Sequence, residues 1–223
     1  MRAAVIVFPG TNCDRDTKMA CEAYGWETEF VWHFENALDE YDIVFLPGGF
    51  SYGDYIRSGR LAKFSPVMEA IKQYVDSERG FVVGICNGFQ ILCETGLLPG
   101  ILTDNWNTRF ICKNAPLNLY DTDSEKKIVL PIAHGEGRYV AEEDVIKKLK
   151  EENMIFLTYT CNPNGSMEDI AGLYDRKKRV MGMMPHPERA FFEETGSTDG
   201  REIFKIVEEA LSYKRDNTQS VGK

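Results

Sequence analysis

Along this 223-residue chain, hydrophobic residues fall mostly in short, nearly continuous runs that end on Gly or Pro. Residues 3–8 form such a run, closed by Pro9-Gly10, and read as a buried strand. Asn12 stands where it could cap a helix over 14–24, which Gly25 would stop. Residues 27–34 alternate in part and suggest a second strand; 43–46 give a third, ended by Pro47-Gly48-Gly49. Ser65-Pro66 opens a helix running to about residue 79, with Gly80 past its end. Residues 81–85 read as a fourth strand, followed by a helix from about 88 to 95 that Gly96 closes.

Strands alternating with helices predict an α/β fold: an open, mostly parallel sheet with helices on both faces. Continuous apolar strands agree, because a parallel sheet is buried on both sides. Between about 101 and 141 the pattern changes to strand-like pieces at 110–119 and 127–134 with little helix, which predicts a small antiparallel excursion. Further strands are expected at 155–159, 170–174 and 180–184, and a closing helix over about 200–214. The whole reads as a single domain over 1–214 with a frayed polar tail at 215–223.

Composition adds exclusions. The hydrophobic fraction is 43%, enough for a sizeable core, and the net charge is −9, which argues against a nucleic-acid or anionic-membrane surface. No run of about 18 apolar residues is present, so no membrane-spanning helix is expected. The first residues lack the features of a signal peptide, and the expected location is the cytosol. The six cysteines form no Cys-x-x-Cys pair and the three histidines are scattered, so neither a structural zinc site nor a disulfide framework is expected.

The sharpest chemical signal is Gly84-Ile85-Cys86-Asn87-Gly88, directly after a predicted strand. It has the Gly-x-nucleophile-x-Gly form of a nucleophile elbow, where flanking glycines let neighbouring backbone pass close. The helix N-terminus beyond it favours a thiolate. A thiolate needs a base, and the base an orienter. Pro185-His186-Pro187-Glu188 supplies both at a strand end: Glu188 can hold one imidazole nitrogen and aim the other at Cys86. Asn87 N–H and Leu46-Pro47-Gly48-Gly49-Phe50 are the candidate oxyanion hole. His134, in a glycine-rich loop, forms a rival pair with Cys86 but lacks a closely placed acid; His33 reads as structural or exposed.

The order Cys86, His186, Glu188, with Pro-Gly-Gly after the third strand, resembles the class I (triad) glutamine amidotransferases. Within them, PGTNCD (9–14), LPGGFSYGDYIRSG (46–59), GICNGFQIL (84–92), RFICK (109–113), IAHGEGR (132–138) and MPHPER (184–189) resemble the glutaminase subunits of phosphoribosylformylglycinamidine synthases. The resemblance implies that Cys86 forms a γ-glutamyl thioester, His186 moves protons, Glu188 orients His186, and Gly49 and Asn87 supply the oxyanion N–H groups. Gln90, Gly135 and Glu136 are implied to hold the glutamine amino and carboxylate groups. It further implies no metal and no cofactor on this chain, with ATP and Mg on a large synthetase subunit that receives the ammonia. A small subunit often bridges the two. Residues 105–108 depart from the pattern, which leads one to expect a Ser-containing turn there. The role of Cys13 stays open. Rival readings are a glutaminase of another complex, a stand-alone Cys hydrolase of related fold, and a non-catalytic module that kept the fold.

Overall fold

A computed structural model of the chain describes residues 1–121 and 124–220, the last helix by its backbone alone beyond Ser212. Its elements are β1 (Arg2–Val7), α1 (Asp14–Tyr24), β2 (Glu27–Trp32), β3 (Ile43–Leu46), α2 (Pro66–Asp76), β4 (Phe81–Ile85), α3 (Asn87–Glu94), β5 (Ile101–Thr103), β6 (Ile111–Asp121), β7 (Ser124–His134), β8 (Arg138–Val140), α4 (Glu143–Glu151), β9 (Ile155–Tyr159), β10 (Ile170–Asp175), β11 (Val180–Met183) and α5 (Arg201–Ser220).

The nine-stranded sheet has the order β2-β1-β3-β4-β11-β10-β9-β6-β7. From β2 to β11 neighbouring strands run parallel. From β11 outward they run antiparallel, and β5 and β8 pair separately. Strands β3, β4 and β11 are buried at every position, as their unbroken apolar runs require. Helices cover both faces: Phe45 of β3 stacks on Phe204 of α5, while its neighbour Leu46 packs against Gly88 of α3. Successive strand residues point to opposite faces, so the two helices lie on opposite sides.

Several expected boundaries shift. Asn12 does not cap α1; Cys13 holds that position without a side-chain bond, while Asp14 and Asp16 complement the helix dipole. Gly25 ends α1 in the left-handed region, at φ 98°. The second strand stops at Trp32, and α2 stops at Asp76 rather than near 79. Helix α4 answers to no predicted element, although Glu143 and Asp144 open it, Lys148 and Lys150 close it, and Ile146 and Leu149 bury one face. The closing helix continues to Ser220, because no Gly or Pro interrupts 215–220; residues 221–223 of the expected tail lie outside the described residues.

The antiparallel strands bring the chain back to the centre. Register shifts at Gly172, between β9 and β10, mark a bulge, which sharpens twist. At the far end, Pro131 of β7 accepts the His186 N–H at 2.8 Å, so the outermost strand reaches the loop after central β11. On the same strand Val129 N–H donates to Asp199 Oδ2 at 2.7 Å.

Gly182 of β11 has no room for a side chain. A methyl group there would collide with the Phe89 ring and stand 2.8 Å from Leu98. Gly182→Ala is therefore expected to destabilise by ~1–3 kcal/mol, which lowers Tm by about 2–4 °C per kcal/mol in a chain of this size. Thermal unfolding checks this, and an unchanged Tm would show that Phe89 can move aside.

Candidate active site

Strand β4 delivers Cys86 to the N-terminus of α3 at φ 51°, ψ −103°, a left-handed backbone that a residue with a Cβ rarely adopts. Bonds on both sides hold it there: Cys86 N–H donates to Met183 O at 2.7 Å, and Cys86 O accepts Gln90 N–H at 3.1 Å. The flanking glycines are required sterically. A methyl on Gly84 would stand 2.7 Å from the Gly88 carbonyl carbon, and one on Gly88 would collide with Leu46 O of β3.

His186 follows β11, which pairs with β4 in parallel register through Met183↔Ile85. The imidazole and the thiol therefore leave adjacent strands at the same end of the sheet. Both line one cavity of about 160 Å³. His186 Nδ1 and Glu188 Oε1 are 2.6 Å apart and both side chains are buried. Burial alone would depress the His186 pKa. The Glu188 carboxylate, with the Cys86 and Cys13 sulfurs, outweighs it and holds the pKa well above the ordinary value. His186 Nε2 makes no hydrogen bond.

His134 occupies the same cavity but is tied to an amide, with Nδ1 3.1 Å from Asn105 Oδ1. Burial, and then the charge of His186, push its pKa down to about 4, so it is neutral at physiological pH. Neighbouring His134 and His186 are thus driven in opposite directions. His33 is buried and structural: its Nδ1 lies 2.9 Å from Tyr52 OH, which also meets Ser65 Oγ at 2.8 Å.

Gly49 lines the cavity at φ 149° and forms an isolated bridge with Thr11. Flanking residues make the bonds of that bridge, Asn12 N–H to Gly48 O (3.3 Å) and Phe50 N–H to Gly10 O (2.9 Å), so Gly49 N–H stays out of it. Asn87 is the first residue of α3, where a helix leaves its N–H groups without intrahelical acceptors. Its side chain ties the elbow to the glycine loop by accepting Ser51 N–H at 3.2 Å.

Gln90, Gly135 and Glu136 all line the cavity. Gln90 accepts from Asn87 Nδ2 (2.9 Å) and donates to Glu136 O (2.6 Å). Four residues that the sequence reading passed over or left open join them: Cys13, Asp54, Ser58 and Arg189. All four lie inside the quoted sequence blocks, so position, though not role, was visible. Burial, with a contribution from Glu136, raises the Asp54 pKa to about 6 against the lowering bonds from Ser58 and Asn87. Arg189 Nη2 donates to Cys13 Sγ at 3.0 Å.

A buried thiol at a strained strand-to-helix turn, beside a carboxylate-held imidazole on this sheet, defines a class. The chain belongs to the CobB/CobQ-like glutamine amidotransferase domain family, which matches residues 1–210. It is similar to the phosphoribosylformylglycinamidine synthase subunit PurQ of Prochlorococcus marinus, 50% identical over 216 residues covering 93% of this chain and 99% of that one. The PurQ subunit of Thermus thermophilus is 49% identical over 219 residues, covering 92% and 96%. Among solved structures, PurLQS from Thermotoga maritima matches with TM-score 0.86 and 42% identity, covering 94% of this chain and 98% of that one.

Asn105, in the stretch 105–108, organises the loop beneath the cavity. It is buried, its Nδ2 donates to Arg109 O and His134 O (both 2.8 Å), and its Oδ1 accepts Gly137 N–H (3.2 Å). Asn105→Ala leaves those buried groups unpaired and is expected to cost ~1–3 kcal/mol or more. Denaturant unfolding with an unchanged slope and a lower midpoint checks this; an unmoved midpoint would mean that water replaces the amide.

Proposed function

We propose that this chain is the glutaminase subunit of a phosphoribosylformylglycinamidine synthase. It hydrolyses L-glutamine to L-glutamate and ammonia, and a synthetase uses that ammonia to convert formylglycinamide ribonucleotide to the amidine in purine synthesis. The observation that carries this reading is the shared cavity of Cys86 and His186, with Glu188 gripping the far imidazole nitrogen at 2.6 Å. Similarity to PurQ subunits over more than nine tenths of the chain supports the choice of synthase.

In the proposed cycle the Cys86 sulfur attacks the carboxamide carbon. The oxyanion meets the N–H groups of Gly49 and Asn87. The C–N bond breaks as His186 gives its proton to the departing ammonia, leaving a γ-glutamyl thioester. His186 then takes a proton from water, which attacks the thioester, releases glutamate and frees the thiol. Glu188 keeps the imidazole aimed throughout. Asp54 and Glu136 offer carboxylates, and Gln90 and Gly135 polar contacts, to the amino-acid end of glutamine.

ATP and Mg act on the synthetase, and a small third subunit bridges the assembly, which operates in the cytosol; the likeness to PurLQS supports such partners. Docking is proposed to act on the loop after Gly49. There Tyr52, Gly53, Asp54 and Ile56 all have positive φ, and Phe50, Tyr55 and Ile56 expose apolar side chains next to the cavity. Among the described residues no helix is long and apolar enough to cross a membrane.

Glutamate release is expected from the wild type, to rise on adding the synthetase, and to fall by at least ~10³-fold in Cys86→Ala. Release unaffected by that substitution overturns the nucleophile assignment, and a free chain as fast as the complex overturns activation by docking. The raised Asp54 pKa sets a pH limb. Its carboxylate is present above about 6 and protonated below, so kcat/KM for glutamine should fall as pH drops through about 6, through KM. Asp54→Asn should abolish that limb, and a pH profile of KM decides it.

A further inference from the structure

Cys13 is not used by the proposed hydrolysis, yet it shares the cavity with the groups that are. It sits at the start of α1, more than 170 positions before His186 in the chain. No contiguous ligand motif records the juxtaposition. One donor atom from each of Cys13, His186 and Glu188 lies within 4.8 Å of the other two, and all three residues are buried. Glu188 Oε2, buried within this group, makes no hydrogen bond.

We propose that Cys13, His186 and Glu188 form an inhibitory site for a thiophilic divalent cation such as zinc, reached through the glutamine cavity. A thiolate, an imidazole and a carboxylate are a ligand set that zinc accepts, with a fourth position left for water. Bonds of about 2.0–2.3 Å in a tetrahedron place donors about 3.3–3.8 Å apart, so side-chain rotations of about 1 Å close the present cluster on an ion. On binding, the ion takes the place of the proton that His186 Nδ1 shares with Glu188 Oε1, and that proton and the Cys13 thiol proton both leave to solvent. Arg189, donating to the same sulfur, brings a positive charge to the cluster, but Asp16 (3.4 Å) and Glu188 (4.0 Å) flank the guanidinium and offset it. The sulfur and nitrogen donors select against magnesium, a hard ion that prefers oxygen, so the ion expected at the synthetase does not compete.

The consequence rests on the glutaminase reading: a cation on His186 removes the proton carrier and closes the cavity, so turnover stops until a chelator extracts the ion.

Cobalt is the probe, because thiolate-to-cobalt charge transfer reports sulfur ligation directly. The background chain is Cys112→Ser/Cys161→Ser, which removes two exposed thiols. The charge-transfer band is expected in the background, retained on adding Cys86→Ala, lost on adding Cys13→Ser, and discharged by zinc but not by magnesium. In the synthetase complex, zinc should inhibit glutamate release reversibly to EDTA. Half-inhibition in Cys13→Ser should need at least ten-fold more zinc, each variant referred to its own uninhibited rate. No band in the folded background, a band that survives Cys13→Ser, or a band that vanishes in Cys86→Ala overturns the proposal. If Cys13→Ser does not fold, the Cys86→Ala arm still decides. The band does not require turnover, so its presence or loss is separable from any failure of the glutaminase reading.

Discussion

The geometry of the cavity depends on holding one residue, Cys86, at a positive φ. Such a backbone costs about 1–3 kcal/mol for a residue with a Cβ and persists only when its surroundings over-determine it. Here the restraint comes from both sides of the turn and from two strands: the N–H is pinned to β11, the carbonyl to the first turn of α3, and glycines on either side let α3 press onto β3 and β4. The fully buried parallel strands β3, β4 and β11 supply the rigidity that keeps the turn from relaxing.

Electrostatics completes what sterics begins. Two histidines share the cavity, and each is held in a different state by its surroundings. Glu188 holds His186 toward the protonated form, whereas burial, and then the charge of His186, keep His134 uncharged beside the neutral amide of Asn105. A second charged imidazole would repel the first. With no acid beside it, the buried His134 stays neutral, and the positive charge is kept at His186. This is also why a triad built on His134 has no support in the geometry.

Much of this was legible in the chain. The parallel strands announce themselves as apolar runs ending in Gly or Pro, and the elbow and Pro-His-Pro-Glu carry their own local logic. Features made by distance were not legible. Nothing near Pro131 says that its carbonyl will anchor His186, nothing near Cys13 says that it will meet Arg189, and the stretch 105–108 hides an amide that binds four groups. Asn12 looked like a cap because its residue type suits one, but Thr11 is held in the bridge with Gly49 and the helix cap falls one residue later, at Cys13. Helix α4 had readable charges at its ends and was passed over amid the strand-like pieces around it.

The outermost strand of the sheet carries a consequence of its own. An edge strand ordinarily offers a row of free amide donors and carbonyl acceptors on which another polypeptide can crystallise into a growing sheet. On β7 the Val129 donor is occupied by Asp199, Pro131 has no donor to offer, and its carbonyl is taken by His186. The bond that steadies the imidazole thus also removes one of the acceptors that this edge of the sheet would offer to another chain, so the edge and the cavity share the same few atoms.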